Sequence, residues 1–269
     1  MVLTIRVGRI DFNLRQVLGF VIFVIAWWLL ARQLGQARLP SPQAVAARFV
    51  KVLSHSPEIA AQGGGSSGIG PHLVASIIRV FAGGTVGICL GAAVGLLMGW
   101  NKHVNDLLEP PIEILRAIPP LALAPFLRSW FGPTTTTQFI MLIGYTCLVL
   151  VISTIEAIKN VPPVQIQYTQ TLGASRGQIY RTVILPAIVP ELVGAVRVGI
   201  AISWGIAVVT ELLGAPLGIG KIFSMMLVAQ GLDIIIIGII YVTIVALITD
   251  QFFVLISNRW TQWVPRSQG

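Results

Sequence analysis

The chain has 269 residues, of which 55% are hydrophobic and only 10% are charged. So much apolar surface excludes a soluble domain of this size and predicts an integral membrane protein. The formal net charge of +8 does not indicate a nucleic-acid partner, because the 18 basic residues form no stripe interleaved with aromatic residues. Basic residues near the ends of spans instead anchor a protein to anionic membrane lipid.

Six apolar runs approach the roughly 20 residues that a helix needs to cross a hydrocarbon core of about 30 Å. No alternation typical of strands competes with them, so the predicted fold is an all-α polytopic membrane protein with about six transmembrane helices. The runs cover residues 17–35, 76–100, 111–130, 137–158, 191–213 and 234–257. No small-residue cleavage site follows the first run, which is therefore interpreted as a retained span.

The distribution of basic residues favours a cytoplasmic N-terminus. The predicted parts are then a cytoplasmic N-terminus with the first span (1–35), an outer loop (36–75), a core with five spans (76–258) and a cytoplasmic tail (259–269). Ser41-Pro42 in the outer loop is typical of the start of an amphipathic helix, and residues 63–68 have the composition of a flexible Gly/Ser linker. The core includes a long cytoplasmic loop over residues 160–190.

That cytoplasmic loop contains signals for two short helices with a corner between them. Pro162-Pro163 can begin a helix, and Gly173 permits a sharp bend. Pro186 and Pro190 are expected to break the chain before the next span. A protruding corner of this kind predicts a docking surface for another protein.

The loop resembles the signature loop of ABC importer permeases, in which EAA is followed by three residues, Gly, nine residues, Ile, one residue and Leu-Pro. The residues that fit this spacing are Gly173, Val183, Leu185 and Pro186. The EAA positions read Gln167, Tyr168 and Thr169, a departure that removes the Glu expected to pair with an ATPase. A spaced pattern between two spans is far less degenerate than a lone glycine motif.

Further segments resemble the taurine, alkanesulfonate and nitrate branch of these permeases, and most closely its taurine-type members. They are residues 114–122, 172–176 and 191–199, and Glu211-Leu212 followed by Gly218-Ile219-Gly220. The resemblance extends from about Leu39 to the C-terminus. It makes residues 76–258 the permease core and 160–190 its coupling loop.

The resemblance implies a homodimer of permeases in a prokaryotic inner membrane, a cytoplasmic ABC ATPase dimer, and a periplasmic or lipid-anchored substrate-binding protein. In the coupling loop Gly173 would supply the corner, and Ala174 and Ser175 would allow close approach. Arg176 and Arg181 would offer charge-assisted contacts to an acidic partner surface. The implied substrate is a small organic anion, taurine or another sulfonate, with nitrate, bicarbonate, aromatic acids and thiamine precursors as alternatives.

Nothing in the sequence predicts an enzyme. The segment from Gly218 to Lys221 lacks the first glycine and the following Ser or Thr of a phosphate-binding loop, so ATP and Mg²⁺ are expected on a separate ATPase chain. The isolated His55, His72 and His103 are expected on the surface. An ion-gradient-driven transporter is the rival class, but it would more often bury acidic or histidine relays than this chain does.

Two cysteines and a row of glycines lie in the apolar runs. Cys89 and Cys147 lack metal-ligand spacing and are expected to be buried small hydrophobes. The glycines Gly87, Gly91, Gly95 and Gly99 repeat every four residues, which allows a neighbouring helix to approach closely. That neighbour belongs either to the same subunit or to a second one.

Charged residues and prolines suggest a translocation path. Prolines inside a membrane helix free backbone groups that are tolerated beside protein or an aqueous cavity, and an unpaired arginine near the bilayer centre costs about 3 kcal/mol or more. Arg79 should therefore face protein or water, and Arg116 can pair with Glu113 on the same helix. Arg197 has no acid at helical spacing, which leaves both structural pairing and substrate contact open. The candidate path residues are Arg116, Pro119, Pro120, Arg197, Ser203 and Glu211.

Overall fold

A computed structural model of the protein describes residues 4–7 and 10–257. A short antiparallel hairpin pairs β1 (Thr4–Val7) with β2 (Ile10–Asn13). Helices α1 to α6 cover Leu14–Leu34, Pro42–Ser54, Pro57–Ala61, Gly70–Trp100, Lys102–Ala117 and Pro120–Phe131. Helices α7 to α12 cover Thr135–Lys159, Pro163–Thr171, Arg176–Ile179, Leu185–Leu212, Ile219–Val228 and Leu232–Ser257, and a π-helical turn, Tyr180–Ile184, joins α9 to α10. The predicted helical membrane fold is confirmed, with the hairpin as an addition. The predicted tail, 259–269, lies outside the described residues.

Five described helical stretches are long and apolar enough to cross a membrane: Arg15–Leu34, Gly70–Trp100, Thr135–Lys159, Arg176–Leu212 and Leu232–Ser257. The run at 111–130, expected as a further span, is two helices. Helix α5 ends at Ala117, Ile118 is extended, and α6 begins at Pro120. The cause is local, because a residue before a proline disfavours helical backbone and a proline cannot donate a hydrogen bond.

The expectation that Pro186 and Pro190 break the chain is wrong. Helix α10 starts at Leu185, keeps Pro186 in its first turn and runs on through Pro190. Pro186 is tolerated there because first-turn N–H groups have few intrahelical partners. The π turn lies immediately upstream, where the Leu185 N–H donates to Tyr180 O, so the hydrogen-bond ladder changes register beside the prolines instead of ending.

The described residues form two compact units, of which the first comprises the chain up to Gly70 and Ile222–Ile240. Its helix α2 begins as predicted, with the Ser41 hydroxyl accepting the Ala44 N–H, and it buries Val45 and Val52. The Gly/Ser segment, predicted to be a flexible linker, is packed at Gly64 and Gly68, whereas the space beside Gly63 and Gly65 is open. A Cβ on Gly68 would overlap Val52 O, and the neighbouring Ile69 N–H donates to Val52 O over 2.9 Å.

The second unit comprises Pro71–Lys221 and the chain from Tyr241 onward. Helices α7 and α10 share its apolar core, in which Met141 and Leu142 pack with Ile206. The α4 glycine face lies against α7. A Cβ on Gly91 would collide with Cys147 O and lie 2.7 Å from the Leu150 Cβ. Equivalent additions at Gly87, Gly95 and Gly99 would meet Thr146, Thr154 and Ile158. Close packing within one chain therefore accounts for the four-residue repeat.

The two cysteines depart from the expectation that both are buried. Cys89 is exposed on α4 and Cys147 is half-buried on α7. Cys89 lines an apolar cavity of about 540 Å³ between α4, α10 and α12. The side chain is therefore accessible but surrounded by apolar groups.

Candidate functional site

The coupling loop folds into two short helices that meet at a corner. Helix α8 begins at Pro163 directly after Pro162, and Gly173 adopts φ +80° just beyond its end. Helix α9 is held by a capping box, in which the Ser175 N–H donates to Gln178 Oε1 over 2.8 Å while the Ser175 hydroxyl accepts the Gln178 N–H. The space beside the Gly173 Cα is open, so its positive φ, and not crowding, requires a glycine.

Helix α8 and the residue that follows it present an exposed apolar stripe, Val164, Tyr168 and Leu172. These residues are four apart and therefore share one helical face. Their side chains are 67%, 67% and 70% exposed, respectively. Gln167 is also exposed, whereas Thr169 is half-buried and its hydroxyl donates to Gln165 O within the helix. Of the three positions that depart from the permease signature, only Tyr168 belongs to this stripe, and the position of the signature Glu holds the uncharged Gln167.

The remaining coupling-loop residues divide between exposed and packed positions. Ser175, Arg181 and Pro186 are exposed, and Ala174 is half-buried. Leu185 packs against a buried cluster that includes Val161 at the end of α7. The loop is thereby fixed to the helices on both sides of it.

Arg176 is engaged within the chain. Its Nη2 donates to Trp100 O at the C-terminal end of α4 over 2.6 Å, and its guanidinium lies 5.6 Å from the centroid of the Trp100 ring. The carbonyls of a last helical turn lack intrahelical donors and carry partial negative charge, so a cation stabilises them. No local sequence pattern indicates this contact, because the two residues are 76 positions apart.

The most buried charges in the second unit are Arg79 on α4 and Glu211 on α10. Their side chains are 5% and 0% exposed, and Arg79 Nη1 pairs with Glu211 Oε1. The Ser76 hydroxyl lies 2.8 Å from both oxygens of that carboxylate. A second guanidinium nitrogen of Arg79 donates to Leu217 O over 3.2 Å. Arg79 therefore faces protein, as predicted from the free-energy cost of an unpaired arginine in the membrane.

The Gly218-Ile219-Gly220 segment closes over this pair. The Gly220 N–H donates to Glu211 Oε2 over 3.1 Å, and the Ile219 N–H donates to the Ser76 hydroxyl over 3.0 Å. Gly218 has φ +141° and leaves no room for a Cβ beside the Glu211 carboxylate. The glycines near Glu211 are thus required by backbone approach to a buried carboxylate. These glycines therefore serve the packing of a carboxylate and not the binding of a phosphate, which the sequence had already excluded.

His72 belongs to the same buried network, contrary to its expected surface position. The side chain is buried, and its Nδ1 accepts the Gly218 N–H over 3.2 Å. His72 lies just before the predicted second span, so its position in the sequence indicates a loop. The structure extends that helix back to Gly70.

The candidate path residues do not form one site, because each has a different partner. Arg197 makes a bidentate pair with Asp250 on α12, with both N–O distances at 2.8 Å. Arg116 pairs with Glu113 over 2.6 Å, as predicted. The Ser203 hydroxyl is buried, donates to Gly199 O and lies 3.0 Å from the Thr146 hydroxyl. Pro119 and Pro120 form the break between α5 and α6.

The apolar cavity between α4, α10 and α12 includes one of these candidates, Ser203, in its wall. Most of its lining is aliphatic or aromatic, with Phe81 and Phe252 among the larger side chains. Both hydroxyls of Ser203 and Thr249 already donate to carbonyls one helical turn earlier. The cavity thus differs from the charged, water-lined path that the sequence suggested.

Comparison with known proteins gives a consistent result. A family model described as "Binding-protein-dependent transport system inner membrane component" matches residues 87–262, about two thirds of the chain. The chain is 29% identical to the taurine transport system permease protein TauC of Escherichia coli over 244 residues, covering 90% of this chain and 86% of that protein. It is 28% identical to the nitrate import permease protein NrtB of Synechocystis, covering 91% and 88%.

Among solved structures, the chain resembles one reported as inward facing conformations of the MetNI methionine ABC transporter. The TM-score is 0.57 at 21% identity, and the match covers 71% of this chain and 93% of the other. At that identity the likeness concerns the fold.

Proposed function

Because this chain belongs to the family of binding-protein-dependent transport system inner membrane components, we propose that it is the permease subunit of an ATP-driven importer for a small anion. Taurine or another sulfonate is the substrate class proposed, supported by the similarity to TauC and by the overlapping similarity to a nitrate permease. The exposed corner of α8 and α9 carries the proposal. A family member that couples transport to ATP hydrolysis on another chain needs such a surface.

The apolar stripe of α8 is the proposed main contact with the ATPase. Three apolar side chains on one helical face suit a groove in a partner, in the manner of a helix laid into an apolar cleft. Truncating buried contacts at an interface costs most where large side chains are fully desolvated, so Tyr168 is the expected anchor. In this proposal the apolar stripe beside Gln167 makes the main contact, and no ion pair is needed at the position of the missing signature Glu.

The complete importer is proposed to contain two copies of this permease, a cytoplasmic ATPase dimer that binds ATP and Mg²⁺, and a binding protein outside the inner membrane. The permease performs no bond chemistry. It alternates between conformations whose populations the ATPase shifts through the coupling loop. Substrate selection then rests largely with the binding protein, so the sulfonate assignment needs a direct test.

A competition experiment tests the substrate. Cells that express the permease with its neighbouring transport genes would be assayed for uptake of labelled taurine in the presence of excess ethanesulfonate, nitrate or benzoate. The proposal expects sulfonates to compete and benzoate not to compete. Absence of taurine uptake in cells that take up labelled nitrate through the same transport genes would replace the sulfonate with an inorganic anion.

A docking variant tests the role of the stripe. Replacing Val164, Tyr168 and Leu172 with serine should abolish copurification of the ATPase while leaving the folded yield of the permease unchanged, because all three side chains are exposed. The matched control is Leu107→Ser, since Leu107 is a 73% exposed apolar residue on α5 outside the coupling loop. Equal retention of the ATPase by the triple variant and the control would remove the stripe from the interface.

A further inference from the structure

The C-terminal end of α4 is tied to the coupling loop by two side chains from that loop. Arg176 Nη2 donates to Trp100 O over 2.6 Å, and the Tyr180 hydroxyl donates to Leu96 O over the same distance. The Trp100 and Tyr180 rings meet edge to face with centroids 4.8 Å apart. We call this group of Arg176, Tyr180 and Trp100 the α4 clasp.

The two hydrogen bonds of the α4 clasp differ in kind. The bond from Arg176 is charge-assisted and meets a carbonyl at the negative end of the helix, where a cation interacts most favourably. The bond from Tyr180 adds a second donor to a carbonyl in the last turn of α4. The edge-to-face ring contact fixes the relative orientation of the two aromatic side chains.

Helix α4 differs from the other helices around the loop in how it is attached. Helix α7 leads into the loop through Val161, and α10 continues from the loop. Both helices are therefore connected to the loop covalently, through the backbone. Val161 is buried together with Ala157 and Ile188, which joins these two helices beside the loop. Helix α4 is remote in sequence; its Leu96 side chain packs against the same cluster, and its hydrogen bonds to the loop are those of the α4 clasp.

The clasp lies at an irregular point of the backbone. Tyr180 is the first residue of the π-helical turn, and Arg176 is the first residue of α9. Gly177 lies between them, with its Cα facing the Trp100 ring so that an added Cβ would sit 3.7 Å from it. A π turn changes the direction of side chains relative to a regular helix. Here it presents the Tyr180 hydroxyl to α4 while α10 continues as a span.

We propose that Arg176 and Tyr180 are positioning residues that make α4 follow the coupling loop when the ATPase moves it. The inference rests on the proposed function, in which that loop receives the motion. It assigns Arg176 to a contact within the permease, in place of the contact with an acidic ATPase surface that the sequence suggested. The glycine face of α4 would then pass the displacement to α7 along its length.

The test uses the full permease reconstituted with its ATPase and binding protein. The principal variant is Arg176→Leu with Tyr180→Phe, which removes both hydrogen bonds and keeps the Tyr180 ring. Tyr180→Phe alone is the milder variant, and Arg176→Lys keeps a cation that can donate to Trp100 O. Lys102→Leu is the matched control, since it removes an exposed cation at the start of α5, two residues beyond Trp100. The readouts are folded yield, ATPase copurification and uptake per ATP hydrolysed.

The double variant should keep ATPase copurification and lose about tenfold in uptake per ATP, since a hydrogen bond to a charged group is worth at least about a factor of ten in an equilibrium. Tyr180→Phe should lose less, and Arg176→Lys should retain more than half of the wild-type ratio. Lys102→Leu should match the wild type. If the double variant yields little folded protein, the ratio for Tyr180→Phe decides, and a wild-type value there overturns the proposal.

Two further results would overturn it. Wild-type uptake per ATP in the double variant would show that α4 does not depend on the clasp. Loss of ATPase copurification in the double variant would make Arg176 a docking contact and return it to its expected role. Failure of the wild-type permease to bind any ATPase would instead remove the proposed function, and this outcome is visible before any variant is measured.

Discussion

Removing one partner of the buried pair Arg79 and Glu211 should strongly destabilise the second unit. Replacing Arg79 with methionine leaves the Glu211 carboxylate buried with no opposing charge, since the structure exposes 0% of that side chain. Removing one partner of a buried ion pair typically costs about 3–5 kcal/mol. Leu217 O also loses its donor from Arg79, which adds about 1–3 kcal/mol if water cannot replace it. We expect a loss in the free energy of unfolding of at least about 3 kcal/mol.

The assay is equilibrium unfolding of the purified permease in mild detergent, with Arg116→Met as the control. Arg116 also pairs with a glutamate, but both side chains are about half exposed, and such pairs contribute about 1 kcal/mol or less. The double variant Arg79→Met with Glu211→Leu removes both buried charges and should lose less than the sum of the single variants. Equal losses for Arg79→Met and Arg116→Met would refute the argument that burial makes this pair indispensable.

Three further predictions concern topology, the corner and the intramembrane pair. In a cysteine-free background, Ser67→Cys on intact cells should react with an impermeant thiol reagent whereas Ser175→Cys should not, and the opposite pattern would invert the topology. Gly173→Leu should lower ATPase copurification without lowering folded yield, because φ +80° strains a branched side chain in open space; wild-type uptake by this variant would remove the corner from coupling. Arg197→Gln should lower folded yield and uptake together, and Asp250→Asn should do the same, since each leaves one partner of a bidentate pair without its opposite charge. A fall in uptake per folded protein for Arg197→Gln alone would place Arg197 in contact with the substrate.

Local signals in the sequence predicted the parts of the fold that depend on neighbouring residues. The lengths of the apolar runs predicted five of the spans, and most of the predicted span ends lie within a few residues of the observed helix ends. Prolines and a glycine predicted the α8 to α9 corner, since Pro163 and Gly173 act through their own backbone angles. The break at Ile118 also followed from local chemistry. Its consequence, two helices in place of one span, required the structure.

The missed features are contacts between residues far apart in the chain. Arg79 and Glu211 are separated by 132 positions, and Arg197 and Asp250 by 53. One feature of the sequence does indicate both pairs: each of the four residues is an isolated charge in an apolar run. Such charges can be expected to pair, but a single sequence does not say with which partner. The continuation of α10 through Pro190 was missed for a different reason, because a proline within a helical run is read as a break and nothing local in the sequence indicates that this one is tolerated.

The most direct test of the central claim is uptake of labelled taurine by proteoliposomes that contain this permease, its ATPase and its binding protein. We predict accumulation that requires ATP and Mg²⁺ on the ATPase side and survives the collapse of proton and sodium gradients by ionophores. The stripe variant with Val164, Tyr168 and Leu172 replaced by serine should reduce this accumulation to background. Accumulation that continues without ATP and disappears with the ionophores would contradict the account and identify an ion-gradient-driven transporter.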